Sequence, residues 1–231
     1  MAANPVWVAL DTPDPARAEA LAQTVAPHVG GVKLGLEFFM ANGPAGVRRI
    51  GELGLPIFLD VKLHDIPNTV AGAIRSLAGL DLALLNVHAG GGLAMMAAAR
   101  AACPSTTKLV AVTVLTSLDE ADLSTTGVFG DPAGQVQRLA ALAREAGLDG
   151  VVCSAHEVAL LKAHWAQGLF VVPGLRPAGA EAGDQKRVMA PADALKAGAG
   201  VLVVGRPITA APDPAAAAAA IAASLAAAAG D

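Results

Sequence analysis

A single α/β domain of the (β/α)8 TIM-barrel type, spanning residues 1–231, is predicted by three observations. Short apolar runs alternate with longer helical patterns from end to end, as βα units do. Most runs are bounded by Gly, Pro, Asp or Asn and are rich in Val, Leu and Ile on both faces, which suits parallel strands covered by helices. Polar residues gather at or just after the C-terminal ends of the runs, where a barrel collects its chemistry.

Taken in order, Val6–Leu10 leads to Asp11, and Asp14-Pro15 then supplies a cap and a first-turn proline for a helix over Ala16–Ala26. Val32–Leu34, Ile57–Val61 and Leu82–Val87 follow as the second to fourth strands. The fifth is expected over Leu109–Leu115, and Asp131-Pro132 opens a helix over Gly134–Ala146. Gly150–Cys153, Leu169–Val172 and Val201–Val204 complete the set. Parallel strands need crossover connections of the length seen here. A doubly wound open sheet is the competing architecture, but no Gly-x-Gly-x-x-Gly follows the first strand.

The 231 residues are 54% hydrophobic and 16% charged, the balance of a compact globular enzyme rather than a disordered chain. A net charge of −4 and scattered basic residues leave no electrostatic footprint for nucleic acid. Cys103 and Cys153 stand far apart, outside any Cys-x-x-Cys or metal-ligand spacing, and suit a reducing, cytoplasmic setting. The start lacks the basic segment of a signal peptide. Ala215 to Ala229, behind Pro-Asp-Pro, reads as a docked terminal helix, so no membrane partner is expected.

Asp60-Val61-Lys62-Leu63-His64-Asp65 is the chemical centre. Strand side chains alternate, so Asp60 and Lys62 point to the same side, toward the mouth. Burying an isolated charge is costly, so two acids and a base so close together should form a paired set, with Lys33 of the neighbouring strand completing it. A purely structural ion pair is the bland alternative. A lysine beside carboxylates stays an ammonium, which disfavours a Schiff base and suits proton donation or stabilisation of a carbanion, such as one left by decarboxylation. His64 reads as loop packing, and His28, His156 and His164 as exposed or packing residues.

Loops after the seventh and eighth strands of such barrels commonly hold phosphate. Gly205 permits close backbone approach there, and Arg206 offers a forked donor for phosphate oxygens, unless it is a surface residue capping the barrel. Pro173-Gly174-Leu175-Arg176-Pro177 through Gly183-Asp184-Gln185 is long and glycine-rich, as a lid would be, with Arg176 and Gln185 as the residues it brings down. Asp11 is placed to accept from sugar hydroxyls and Thr116 to approach a base, although such residues also serve as helix caps. Neither a His/Asp/Glu metal constellation nor a Gly-Lys-Thr phosphate loop is present, so no metal is expected.

Leu59-Asp60-Val61-Lys62-Leu63-His64-Asp65-Ile66-Pro67-Asn68-Thr69, Pro173-Gly174-Leu175-Arg176-Pro177 and Val204-Gly205-Arg206-Pro207-Ile208 together resemble the signatures of the orotidine 5′-phosphate decarboxylase family, of bacterial type. The likeness extends from Val8-Ala9-Leu10-Asp11 through Asn86-Val87-His88-Ala89 and Leu115-Thr116-Ser117 in the right order, with no departure at a key position. It implies conversion of orotidine 5′-monophosphate to UMP and carbon dioxide without metal or organic cofactor. By the same likeness Lys62 donates the proton, Asp60 and Lys33 belong to the charged array, and Asp11 and Lys33 hold the ribose. Thr116 approaches the pyrimidine, and Arg176, Gln185, Gly205 and Arg206 bind phosphate. Asp65 and Thr69 reach into a neighbouring subunit, which implies a homodimer with shared sites.

Two other readings stand beside this one. A related sugar-phosphate decarboxylase or aldolase barrel shares the Asp-x-Lys-x-x-Asp core but normally needs a divalent metal. The longer His-Asp-Ile-Pro-Asn-Thr extension and the Pro-Gly-Leu-Arg-Pro segment favour the nucleotide decarboxylase. A non-catalytic phosphate-binding barrel is disfavoured by the intact charged set.

Overall fold

A computed structural model describes residues 4–176 and 189–229. Eight parallel strands, β1 (Val6–Ala9), β2 (Gly31–Gly35), β3 (Ile57–Leu63), β4 (Leu84–His88), β5 (Lys108–Val112), β6 (Gly150–Val152), β7 (Leu169–Val172) and β8 (Val201–Val204), pair in sequence order. β8 returns to β1 through Val6↔Leu202, Trp7↔Val203 and Val8↔Val204, so the sheet closes into the (β/α)8 barrel that the alternation predicts.

The helices are α1 (Pro15–Val25), α2 (Leu36–Gly51), α3 (Pro67–Ser76), α4 (Gly92–Ala102), α5 (Glu120–Thr125), α6 (Pro132–Glu145), α7 (Val158–His164), α8 (Pro191–Ala197), α9 (Arg206–Thr209) and α10 (Pro214–Ala229). α1 and α6 start where their caps put them: Asp14 Oδ1 accepts from Ala16 N at 2.9 Å and Asp131 Oδ1 from Gly134 N at 2.7 Å. α2 breaks at Gly43, whose φ of 57° is cheap only for glycine, just before Pro44, which has no N–H to continue the ladder. α10 docks on α1, α8 and α9 through Ala218, Ile221 and Leu225, the i, i+3, i+7 stripe of one helical face. No helix among the described residues is long and apolar enough to cross a membrane.

Three strand ends differ from expectation by two residues or more, and β3 is one of them, running on past Val61 to Leu63. β5 stops at Val112 rather than Leu115: Thr113 still donates from its N–H and its hydroxyl to Val152 O, at 3.1 and 3.0 Å, and the chain then bends at Val114. β4 begins at Leu84 rather than Leu82, whose side chain is buried in the core outside the barrel.

The core lies in two shells. Strand residues pointing outward join the inner faces of the helices, where Phe38, Ile50, Ile74, Met95 and Met96 are almost fully buried; each such side chain contributes about 1.5–3 kcal/mol by leaving water. Residues pointing inward fill the barrel, with Trp7, Phe58, Leu84, Val110, Val171 and Val201 among them. Gly31 leaves space for Trp7: a Cβ there would come within 2.7 Å of the indole ring. Above this apolar filling the same inward positions turn polar: Lys33 above Gly31 on β2, Asp60 above Phe58 on β3, and Asn86 above Leu84 on β4.

Candidate active site

The polar layer opens into a cavity of about 520 Å³ at the C-terminal mouth. Asp11, Lys33, Asp60 and Lys62 line one side, and Thr116, Cys153, Arg176, Gly205 and Arg206 are contributed by the other half of the barrel. Strands far apart in sequence deliver these groups to one place because every strand of a parallel barrel ends at the same face.

The charged residues form a continuous chain. Lys33 Nζ lies 3.0 Å from Asp11 Oδ1 and 3.2 Å from Asp60 Oδ2, and Lys62 Nζ lies 2.6 Å from Asp60 Oδ1. Lys33 and Asp60 are only 8% and 9% exposed, a burial that charged groups tolerate only when paired. Burial alone would push the Asp60 carboxyl up, but Lys33, Lys62 and the Asn86 amide outweigh it and hold it below the usual carboxylate range. Burial likewise disfavours the Lys33 ammonium, and Asp60 and Asp11 reverse that and hold it above the usual lysine value. Gly35 keeps the pair open, since a Cβ there would sit 2.9 Å from Asp11 Oδ1 and 3.0 Å from Lys33 Nζ.

Asp60 and Lys62 do share a side, but regular pleating is not what brings them together. Lys62 has a φ of 50°, a left-handed conformation that costs an L-residue about 1–2 kcal/mol. The β3–β4 register shifts between Leu59 and Leu63 at the same point. Asn86, which the sequence marks only as polar near a strand end, spans this irregularity. Its Nδ2 donates to Asp60 Oδ1 at 2.6 Å, and its Oδ1 accepts from the Lys62 N–H at 2.7 Å. The signal that could have singled it out is a lone amide in the apolar run Leu84-Leu85-Asn86-Val87.

Asp65 does not join the array within its own chain. The β3–α3 loop carries it outward, where it is exposed and its Oδ1 accepts from Ile66 N at 2.7 Å. Thr69, in the first turn of α3, is exposed as well. The in-chain pairing expected of the whole segment therefore holds for Asp60 and Lys62, and Lys33 extends it to Asp11. His64 packs in the loop as expected: its ring stacks on His88, with centroids 5.1 Å apart and 10° between planes. Burial, then the charges of His64 and Lys62, lower the proton affinity of His88, and its Nδ1 accepts from Gly90 N at 3.1 Å.

Gly205 caps α9, and Arg206 stands exposed at the rim. Arg176 donates from its backbone N to Met189 O at 3.1 Å, which joins the two ends of the segment 177–188. Gln185 and the rest of the expected lid, from Pro177, lie outside the described residues. Cys103 and Cys153 are both buried and neither is in a disulfide. Among the described residues, no group of three or more His, Cys, Asp and Glu side chains is placed to hold a metal ion.

Fold and mouth together define a (β/α)8 barrel of the enzyme type, with its charged groups at the C-terminal ends of the strands. The model of the orotidine 5'-phosphate decarboxylase / HUMPS family matches residues 4–221. The chain is 61% identical over 214 residues to an orotidine 5'-phosphate decarboxylase of Novosphingobium aromaticivorans, covering 93% of this chain and 96% of the relative. It is 59% identical over 211 residues to one of Sphingopyxis alaskensis, covering 91% and 94%. The crystal structure of an orotidine 5'-phosphate decarboxylase from Lactobacillus acidophilus superposes with a TM-score of 0.84 at 38% identity, over 96% of this chain and 99% of that one. The chain belongs to the orotidine 5'-phosphate decarboxylase / HUMPS family.

Proposed function

We propose that the protein decarboxylates orotidine 5′-monophosphate to UMP and carbon dioxide in pyrimidine biosynthesis, without metal or organic cofactor. The observation that carries this reading is the Asp11–Lys33–Asp60–Lys62 chain at the mouth of a barrel of this family. Two carboxylates and two ammoniums leave the array formally neutral, and Asp60, held in its anionic form, is next to Lys62, the more exposed of the two lysines that line the cavity.

In this reading Asp11 and Lys33 bind the ribose, Thr116 approaches the pyrimidine, and Gly205 and Arg206 hold the phosphate with Arg176 and Gln185. The carboxylate of the substrate lies beside Asp60. As the bond from carbon to the carboxylate breaks, carbon dioxide departs and the electron pair remains on the ring carbon. The Lys62 ammonium stabilises that carbanion and transfers a proton to it. The neutral lysine regains a proton from water, which balances the cycle. Each mouth carboxylate of the array already faces an ammonium, which supports charge stabilisation by lysine rather than by a bound cation.

Protein freed of metal by a chelator is expected to consume orotidine 5′-monophosphate at its full rate, followed by loss of the substrate's ultraviolet absorbance. Complete dependence on an added divalent ion would overturn the metal-free mechanism and favour the sugar-phosphate branch of such barrels.

The same reading includes a homodimer in which Asp65 and Thr69 serve the neighbouring subunit's site. It is supported by their outward placement and by exposed apolar residues in or just before the helices that follow β2, β3 and β4, Met40 at 74%, Ile66 at 68% and Leu93 at 37%. Inactive Lys62→Ala and Asp65→Ala proteins, mixed under conditions of subunit exchange, are expected to regain part of the activity. No recovery despite demonstrated exchange would mean that each site is complete within one chain.

A further inference from the structure

The β3–β4 pairing steps from Leu59↔Leu85 to Leu63↔Val87, so four residues of β3 advance against two of β4. The excess is the stretch that bears Asp60 and Lys62. Asn86 lies midway along the shorter side, facing the bulge, and it is fully buried. A bulge of this kind breaks the ladder and leaves strand groups in need of partners. Here the Lys62 N–H is bonded by a side chain, since Asn86 Oδ1 accepts from it at 2.7 Å. The other end of the same amide donates to Asp60 Oδ1 at 2.6 Å, the oxygen that also takes the Lys62 ammonium. A leucine would fill this inward position as Leu84 does one layer below, so packing does not call for the amide. Its buried polar ends are tolerated because each is bonded.

We propose that Asn86 is a positioning residue for Lys62, holding the β3 bulge and the Asp60 carboxylate so that the ammonium is aimed into the cavity. This inference rests on the decarboxylase reading for its effect on turnover, while its geometric content stands apart from it. Asn86 touches two members of the array and transmits no proton itself.

Asn86→Leu removes both hydrogen bonds while keeping the number and branching of side-chain heavy atoms. Its kcat is expected to fall on the order of 100-fold, the scale set by a misplacement of about 1 Å, with KM near the wild-type value. Asn86→Asp keeps the acceptor for the Lys62 N–H but sets a second carboxyl against Asp60. The two must share a proton, so this variant is expected to work at neutral pH and to lose activity as pH rises and that proton leaves, unlike the wild type. A merely structural role would produce neither the kcat-only loss nor the alkaline limb.

Crystal structures of both variants give a readout independent of turnover. Loss of the positive φ at Lys62, or of its contact with Asp60, in Asn86→Leu supports the proposal. A Lys62 left in place, or wild-type kcat in folded Asn86→Leu, overturns it. If Asn86→Leu fails to fold, Asn86→Asp decides, and a wild-type pH profile there overturns the proposal. Wild-type protein inactive on orotidine 5′-monophosphate would sink the functional reading alone, leaving the variant structures to judge the positioning role.

Discussion

The barrel contains the same electrostatic recipe twice, once at each end. At the mouth Asp60 lies between Lys33 and Lys62 and accepts from the Asn86 amide. At the opposite end Asp149, just before β6, lies between Arg100, at 2.8 Å, and Lys108, at 2.9 Å, and accepts from the Leu109 N–H at 2.9 Å. Both carboxyls are held below the usual carboxylate range: in each, burial raises the value and the cations and hydrogen bonds more than reverse it. The surroundings differ. Asp60 occupies an inward position over the apolar filling of the barrel and opens on a cavity. Asp149 ties strand beginnings to α4, and Arg100 also donates to Cys103 O and Pro104 O, closing the α4–β5 connection. An aspartate between two cations is therefore a staple at one end and a candidate reaction centre at the other. Position along the strand decides which.

The sharpest way to break the comparison is to remove one cation from the mouth. Lys62→Ala is expected to lower turnover by about 10²- to 10⁴-fold, the range for losing a general acid, and to leave the unfolding midpoint near wild type, because the side chain is partly exposed. A variant that keeps most of its activity would remove the proton-donor role. A large loss of stability without loss of turnover per folded molecule would make the mouth a staple too.

Acid should weaken both ends together. Native values below the unfolded carboxyl value of about 3.9 mean that the stability contributed by Asp60 and Asp149 is present above that pH and is lost as pH falls through the native values. His88 has the same sign, since its native value lies below the ordinary histidine value of about 6.5. Lys33 has the opposite sign: held above the ordinary lysine value of about 10.4, its contribution is lost only as pH rises through the native value. Urea midpoints are expected to be level from about pH 7 to about pH 9, to decline below about 6.5, and to fall faster below about 4. A midpoint that rises on acidification would contradict these assignments.

Much of this was legible in the chain because barrels repeat simple rules. Alternating apolar runs fix the strand order, and the Asp-Pro pairs at residues 14–15 and 131–132 fix two helix starts. Inward parity along β2 and β3 points both Lys33 and Asp60 into the barrel, with Lys33 opposite Phe58 and Asp60 opposite Gly35 one step nearer the mouth. What the chain does not spell out depends on breaks in those rules. The Lys62 backbone leaves the strand region, the register shifts beside Asn86, and no local pattern encodes either, since both arise from pairing with β4. Asp65 follows Lys62 closely in sequence yet faces away, because the loop after the bulge turns outward. The staple at Asp149 escapes a sequence reading for a related reason: Arg100, Lys108 and Asp149 meet only when α4, β5 and β6 are assembled.

The smallest effects should come from that staple, and they should be graded by exposure. Asp149 is the hub, with a side chain 22% exposed and three donors. Asp149→Asn keeps the shape but gives up the charge, and is expected to cost about 1–2 kcal/mol, within the range for hydrogen bonds to charged groups after allowing for partial solvent screening. Lys108 is 60% exposed and free to relax into water, so Lys108→Ala should cost less than about 0.5 kcal/mol. Urea denaturation of the two variants gives both numbers, and neither substitution should change turnover per folded molecule. If Lys108→Ala proved as damaging as Asp149→Asn, the bottom cluster would act as a coupled network rather than as a hub with one weak arm. A drop in kcat from either substitution would mean that the two ends of the barrel communicate, and the separation between staple and reaction centre would fail.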